Sequence, residues 1–303
     1  MANKSKIYLL VAGQTDELQR KDWLSFMPEL GIIADVEMIT IFDQPSADIT
    51  PDIWLKLAQA IHSRADKAKG FVIMHGVDNL LFTSSVLSFL LANLGKPIIF
   101  TGPYPQKKLE VRANLINAVQ AASYNYSEVG LMFGNRLLRA NQAVQLKDES
   151  LNMFTAPASA VLGRIDFSIR IFEKVAIQVK GKMKFTNQLN NKIEILNILP
   201  TLNLKNLAKH LADRDGIILN ANDYQDIPQD LMLLLQKVSA DLPVVVWTRQ
   251  ISKLVLAPKN LILVNNMTWE ATIAKFMWAL PQIKNIKQLK ELMSRNIAGE
   301  IIV

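Results

Sequence analysis

The sequence predicts an α/β protein of two domains, a larger parallel-sheet domain followed by a smaller one of the same class. Three observations carry this. The chain has 303 residues, half of them hydrophobic, more than one domain usually holds and enough for substantial cores. Short apolar runs alternate with helix-length segments, the pattern of a parallel sheet buried on both faces. Around Lys180 the texture becomes basic and polar (VKGKMKFTNQLNNK), and beyond it the alternation restarts. Residues 1–180 therefore read as the first domain, 181–192 as a linker and 193–303 as the second.

Lys6 to Ala12 is a first buried strand that runs into Gly13-Gln14-Thr15-Asp16. Segment 17–30 is polar at first, with a short helix before Pro28. Val36 to Phe42 is a second strand, ending in Asp43-Gln44-Pro45-Ser46-Ala47-Asp48. Thr50-Pro51-Asp52 reads as an N-cap with proline in the first turn, opening a helix to Ala65. Residues 70–103 (GFVIMHGVDNLLFTSSVLSFLLANLGKPIIFTGP) form a βαβ unit: an apolar run to Met74, the polar turn His75–Asn79, a helix-length segment to Asn93, and a second apolar run, Ile98 to Phe100. Arg112–Ala121 reads as helix, Val129–Phe133 as strand, and Ala140–Phe154 as mixed. Beyond the linker, strands are expected at Ile193–Ile198, Gly216–Asn220, Val244–Trp247 and Leu261–Val264. Helices are expected at Leu204–Ala212, Gln229–Ser239, Trp269–Ala279 and Ile286–Asn296.

Composition removes several function classes. With no cysteine, disulfides, thiolate metal sites and a cysteine nucleophile are excluded. The three histidines, His62, His75 and His210, show no metal-ligand spacing, and a hydrogen-bonded turn residue is the reading for His75. No uninterrupted apolar run reaches the roughly 18 residues that span a bilayer. The N-terminal apolar run is short for a signal peptide and lacks a small-residue cleavage site, so a cytoplasmic location is expected. Net charge is +7, but the lysines are dispersed and no basic–aromatic interleaving occurs, so a solvated basic surface is read rather than a nucleic-acid groove. The spacing of Gly13-Gln14-Thr15 matches neither a dinucleotide nor a P-loop fingerprint. No cofactor is expected.

Three polar turns follow the first three parallel strands: Gly13–Asp16, Asp43–Asp48 and His75–Asn79. Right-handed crossovers bring such turns to one edge of the sheet, where open α/β sheets bind ligands. Thr15, Ser46, Asp48 and Asp78 could converge there. A threonine hydroxyl near a carboxylate and backbone N–H groups suits nucleophilic acyl transfer. The same small polar residues also serve turn geometry and capping, and both readings stand on the residues alone.

Longer blocks resemble one family. His75-Gly76-Val77-Asp78-Asn79, Leu87-Ser88-Phe89-Leu90-Leu91 and Gly95-Lys96-Pro97-Ile98-Ile99-Phe100-Thr101-Gly102 resemble the HGTDT, LSFML and LGKPVILTGS signature of the bacterial-type L-asparaginase/glutaminase family, threonine amidohydrolases. MPEL at 27–30, ADV at 34–36, TPDIW at 50–54, RANLINA at 112–118, FGNRLLRAN at 133–141, LGRI at 162–165, MTWEATIAKFMWAL at 267–280 and RNIAGEI at 295–301 fit in the same order. The resemblance implies a larger N-terminal and a smaller C-terminal α/β domain. It also implies a homodimer or homotetramer, and side-chain amide hydrolysis through an acyl-enzyme.

The family's roles carry over unevenly. Thr15 matches the first threonine nucleophile, but Ala12-Gly13-Gln14 precedes it where the family has Thr-Gly-Gly. Gly13, Ser46, Asp48 and Gly76 fall in the substrate-binding turns, and Asp78 matches the motif aspartate. Three positions depart: Ala47 replaces a substrate-binding glutamine, Val77 the second catalytic threonine, and Gln145 a lysine that would serve it. Lys147, two residues on, could substitute only with a shift of register. Only about a dozen residues separate Thr15 from the MPEL block, with no tyrosine among them, so the family's lid is largely missing. Valine nearly matches threonine in size but has no hydroxyl. The loss of that hydroxyl and of the lysine that would activate it are chemically coherent. The expectation is an asparaginase-like protein with weak or no L-asparagine hydrolysis that binds a small amide, an amino acid or a partner at the old site. The alternatives are an amidohydrolase of altered specificity using Thr15, and an accessory subunit contacting RNA.

Overall fold

A computed structural model of the chain describes residues 4–13, 25, 27–103, 108–146, 153–166, 168–176, 183–199, 202–204, 207, 211–240, 242–250 and 261–303. The chain divides into two compact units, Met1–Asn187 with Ile297–Val303, and Gln188–Asn296. The last seven residues, grouped with the second domain on sequence, return to the first unit. There Asn141 Nδ2 donates to the Ala298 carbonyl at 2.8 Å, and Gln142 Nε2 donates to those of Gly299 and Ile301 at 2.6 and 3.0 Å.

The first unit is built on an eight-stranded sheet. Its first five strands are β1 (Lys6–Ala12), β2 (Asp35–Phe42), β3 (Gly70–His75), β4 (Ile98–Thr101) and β5 (Val129–Phe133). These pair in parallel in the order β5-β4-β3-β1-β2. The sheet continues through β6 (Arg136–Arg139), β9 (Val161–Ile165) and β10 (Ile169–Ile171), all antiparallel, so the parallel-sheet domain carries an antiparallel extension at one side. These three strands are short and carry arginines, which conceals them from a search for apolar runs. A two-stranded ribbon, β7 (Val144–Gln145) with β8 (Phe154–Thr155), stands apart.

Alternation along the strands assigns the two faces. Ile7, Leu9, Val11, Val72, Met74 and Ile99 enter one core with helices α1 (Pro28–Ile33) and α4 (Lys108–Ala122). Residues of the opposite parity, among them Tyr8, Leu10, Phe71, Ile73 and Phe100, are buried as well. Helices α2 (Pro51–His62) and α3 (Leu80–Leu90) pack on each other. The α1 helix begins at Pro28, because proline lacks an N–H and suits a first turn; the short helix expected before Pro28 lies almost wholly outside the described residues. Thr50 occupies the N-cap position of α2, but its side chain makes no capping bond.

The second unit carries four parallel strands in sequence order: β11 (Ile193–Asn197), β12 (Gly216–Asp223), β13 (Val244–Gln250) and β14 (Leu261–Val264). Its described helices include α5 (Gln229–Val238), α6 (Trp269–Ala279) and α7 (Ile286–Ser294). The helix expected at Leu204–Ala212 falls largely outside the described residues. A Cβ on Gly216 would lie 2.4 Å from Phe276 Cζ, so glycine lets α6 approach β12. Inside α6, the fully buried Lys275 donates to the Met293 and Arg295 carbonyls at 3.0 and 2.5 Å. It thereby satisfies acceptors at the end of α7.

Candidate active site at the switch point of the first sheet

The strand order places β1 between β2 and β3, so the connections leaving β1 and β3 diverge to opposite sides. In an open parallel sheet this reversal opens a crevice beyond the strand ends. Ala12 and His75 are register partners at the ends of β1 and β3, and Ala12 also pairs with Phe42 at the end of β2. The turns that follow these three strands are therefore neighbours.

Glycine permits their close approach. Gly13 has φ +150°, and a Cβ there would lie 3.1 Å from the Gly76 nitrogen. Its N–H donates to the Phe42 carbonyl at 2.9 Å, tying the first turn to the second strand. A Cβ on Gly76 would lie 2.1 Å from Ser46 Oγ, and one on Gly102 would lie 2.0 Å from the His75 carbonyl oxygen. The His75–Gly76 peptide is thus packed between glycines of the β1 and β4 turns.

Polar side chains then lock the β2 and β3 turns together. Ser46 is buried and donates from Oγ to Asp78 Oδ2 at 3.1 Å. Asn79 holds the N-cap position of α3, but its side chain makes no capping bond. Its Nδ2 instead donates to the Ser46 carbonyl at 3.0 Å and the Ala47 carbonyl at 3.3 Å. His75, fully buried, lies 2.5 Å from the Gly76 oxygen through Nδ1 and 2.9 Å from Thr83 Oγ1 through Nε2. Trp54 Nε1 donates to the same Thr83 hydroxyl at 2.9 Å. Burial lowers the His75 pKa to about 4, against smaller opposing effects of its bond to Gly76 and of the nearby Asp78 carboxylate. The expected hydrogen-bonded turn histidine is present, with more partners than its position in sequence indicates.

Gly13, Ser46, Gly76 and Asp78, four residues singled out on sequence, meet here. Asp78 is exposed and Val77 half-buried between it and Gly76. Asp48 and Ala47 are exposed on the short helix Ser46–Asp48. Among the described residues no hydrogen bond joins Asp48 to the Ser46–Asp78 pair. Gln145 is exposed on β7. Thr15 and Lys147 lie outside the described residues. Asn79, Thr83 and Trp54 were not singled out. The available signal is the asparagine that closes the turn, with threonine one helical turn beyond. A cavity of about 60 Å³ in the first unit, lined by Ser88, Lys96, Glu128 and Ile297–Gly299 among others, shares no residue with this cluster. Among the described residues no group of His, Asp and Glu is arranged to hold a metal, and no helix is long and apolar enough to cross a membrane.

The family model described as Asparaginase, N-terminal, matches residues 10–176. L-asparaginase 1 of Escherichia coli K12 is 30% identical over 98% of this chain and 98% of its own length. An L-asparaginase of Dirofilaria immitis is 29% identical over 85% of this chain, which spans only 47% of that relative. In three dimensions, L-asparaginase I from Vibrio cholerae superposes with a TM-score of 0.85 at 28% identity, covering 99% of this chain and all of the other. With a family model matching more than half of its residues and a full-length relative at 30% identity, the chain belongs to the asparaginase family.

Proposed function

We propose that this protein binds a small amino-acid-like or amide ligand at the β1/β3 switch point and hydrolyses L-asparagine weakly or not at all. The observation that carries this reading is Val77. It occupies the turn between Gly76 and Asp78, and that turn is bonded to Ser46 through Asp78 and Asn79. A methyl group there can neither attack a carbonyl carbon nor pass on a proton. Removing one member of a cooperating catalytic set costs several orders of magnitude in rate. Gln145 and Ala47 fit the same loss. A site that keeps Ser46, Asp78 and its glycines retains means to hold a ligand, with a carboxylate for an ammonium group and backbone N–H groups for an anion. The protein is taken to work as a homo-oligomer in the cytoplasm, without a cofactor, with its site region in the N-terminal domain.

Thermal unfolding with and without L-aspartate tests the binding half of this reading. A ligand at about 100 times its dissociation constant adds roughly 2.7 kcal/mol, so a clear rise in Tm is expected, absent in Asp78→Asn. No rise at millimolar L-aspartate or L-asparagine would remove the support for an amino-acid ligand. The retention of threonine at position 15 favours a second reading, an amidohydrolase of altered specificity. That reading predicts a covalent acyl adduct on Thr15 with a reactive amide or ester analogue, located by peptide mass mapping.

A further inference from the structure

We propose that His75 is a positioning residue: a relay from Trp54 through Thr83 holds its imidazole in the Nδ1–H form, and that N–H fixes the Gly76 carbonyl and with it the turn bearing Val77 and Asp78. The inference rests on hydrogen-bond directionality and not on which ligand the site binds.

Directionality, with a neutral ring, leaves one arrangement. The Gly76 oxygen can only accept, so Nδ1, 2.5 Å away, must carry a proton. Indole Nε1 of Trp54 can only donate, so the Thr83 hydroxyl, 2.9 Å away, accepts from it. The single proton of Thr83 is then free for His75 Nε2 at 2.9 Å, which must accept if the ring is neutral. Burial of the ring favours the neutral form, as the lowered pKa indicates. The chain runs Trp54 N–H to Thr83 O–H to His75 Nε2, and from His75 Nδ1–H to the Gly76 carbonyl. Every member has a partner, the condition under which a buried polar network fixes one geometry.

The elements involved explain what the relay positions. Trp54 lies in α2, Thr83 in α3 and His75 at the end of β3, so two helices support one strand end. The His75 ring also packs against Phe100 of β4, with centroids 5.9 Å apart, and this contact limits its tilt. From the Gly76 carbonyl the backbone passes to Val77, Asp78 and Asn79. Two bonds report on that turn: the Leu80 N–H to the Val77 oxygen at 3.4 Å, and the Thr83 N–H to the Asn79 oxygen at 2.9 Å. His75 itself is fully buried and acts only through the Gly76 carbonyl, as supporting side chains around built sites do.

The test is nitrogen NMR on the full chain labelled at histidine, with His75 assigned by comparison with His75→Gln. The expected result at neutral pH is a pyrrole-type Nδ1 and a pyridine-type Nε2. The reverse tautomer, or a ring protonated on both nitrogens, would overturn the proposal. Amide hydrogen exchange supplies the second reading. In Thr83→Val, exchange at Leu80 and at residue 83 should accelerate about tenfold, the equivalent of one lost hydrogen bond. Amides of β2 should stay unchanged, and Thr83→Ser should restore the wild-type pattern. Unaltered exchange at the turn, or an equal acceleration throughout the first unit, would also overturn it. If Thr83→Val does not fold, Trp54→Phe removes the first donor of the relay and is read in the same way.

Discussion

Replacing Gly76 with alanine should expose how tightly the β2 and β3 turns are fitted. A Cβ at Gly76 would meet Ser46 Oγ at 2.1 Å and Ser46 Cβ at 2.8 Å, with the next atom, Asp78 Oδ2, at 3.9 Å. The first two distances are too short for any real contact, so Ser46 must move. Ser46 is 4% exposed and is bonded to Asp78. Overpacking of this kind costs about 1–3 kcal/mol, and the displaced hydroxyl forfeits about 1 kcal/mol more. Gly76→Ala should therefore cost about 3 kcal/mol. The origin of that cost can be dissected. In a Ser46→Ala background the contact at 2.1 Å is gone but the one at 2.8 Å remains, and the cost of Gly76→Ala should fall to about half. In a Ser46→Gly background only the ordinary contact at 3.9 Å is left, and the cost should drop below about 1 kcal/mol. Urea denaturation of each variant against its own parent, followed by far-ultraviolet circular dichroism, measures the three values. An equal cost in all three backgrounds would refute the packing assigned to Gly76 and Ser46.

Two further predictions concern the first unit. His75 has its folded pKa lowered from 6.5 to about 4, so between these values the unfolded chain binds the extra proton. The contribution to stability is present in full above about pH 6.5 and is lost as pH falls towards 4, by about 3 kcal/mol at most. The burial that lowers the pKa is opposed by the nearby Asp78 carboxylate. Urea midpoints from pH 7.5 to 4.5 should fall steeply in the wild type and less in His75→Gln; equal slopes would contradict the assignment. Arg139, 8% exposed in its side chain, donates from Nη2 and Nε to the Glu128 carboxylate at 2.6 and 3.1 Å, and from Nη2 to the Val175 carbonyl at 2.9 Å. Arg139→Met should cost about 3–5 kcal/mol by removing the guanidinium paired with a buried carboxylate, and Glu128→Leu in the same chain should recover much of it. Strictly additive losses in urea denaturation would count against a buried pair.

What could be read from sequence followed from how each element declares itself. Phe71 to Met74 and Ile98 to Phe100 sit in strands buried on both faces, and a short apolar run announces such a strand directly. β6, carrying Arg136 and Arg139, announces nothing, because the burial of Arg139 rests on partners distant in sequence, Glu128 eleven positions earlier and the Val175 carbonyl thirty-six later. The turns holding Gly13, Ser46 and Gly76 were legible as strand ends, and topology required them to meet. Their fit was not legible, since the contact between Gly76 and Ser46 spans thirty positions. The buried relay shows the same limit. Trp54 lies in an amphipathic helix and Thr83 in a helix buried on nearly every side. Periodicity marks both as packing residues, and only the distances show that Trp54 and His75 meet at the Thr83 hydroxyl. The return of residues 297–303 to the first unit depends on Asn141 and Gln142, whose partners lie more than 150 positions away.

The central claim, that the family scaffold persists here while its reactive centre has changed, is tested most directly by ammonia release from L-asparagine. The assay uses purified protein, with Thr15→Ala prepared in parallel. The account predicts release indistinguishable from, or only slightly above, that of Thr15→Ala, at protein concentrations where L-aspartate still raises the Tm. Sustained turnover of L-asparagine that Thr15→Ala abolishes would contradict it.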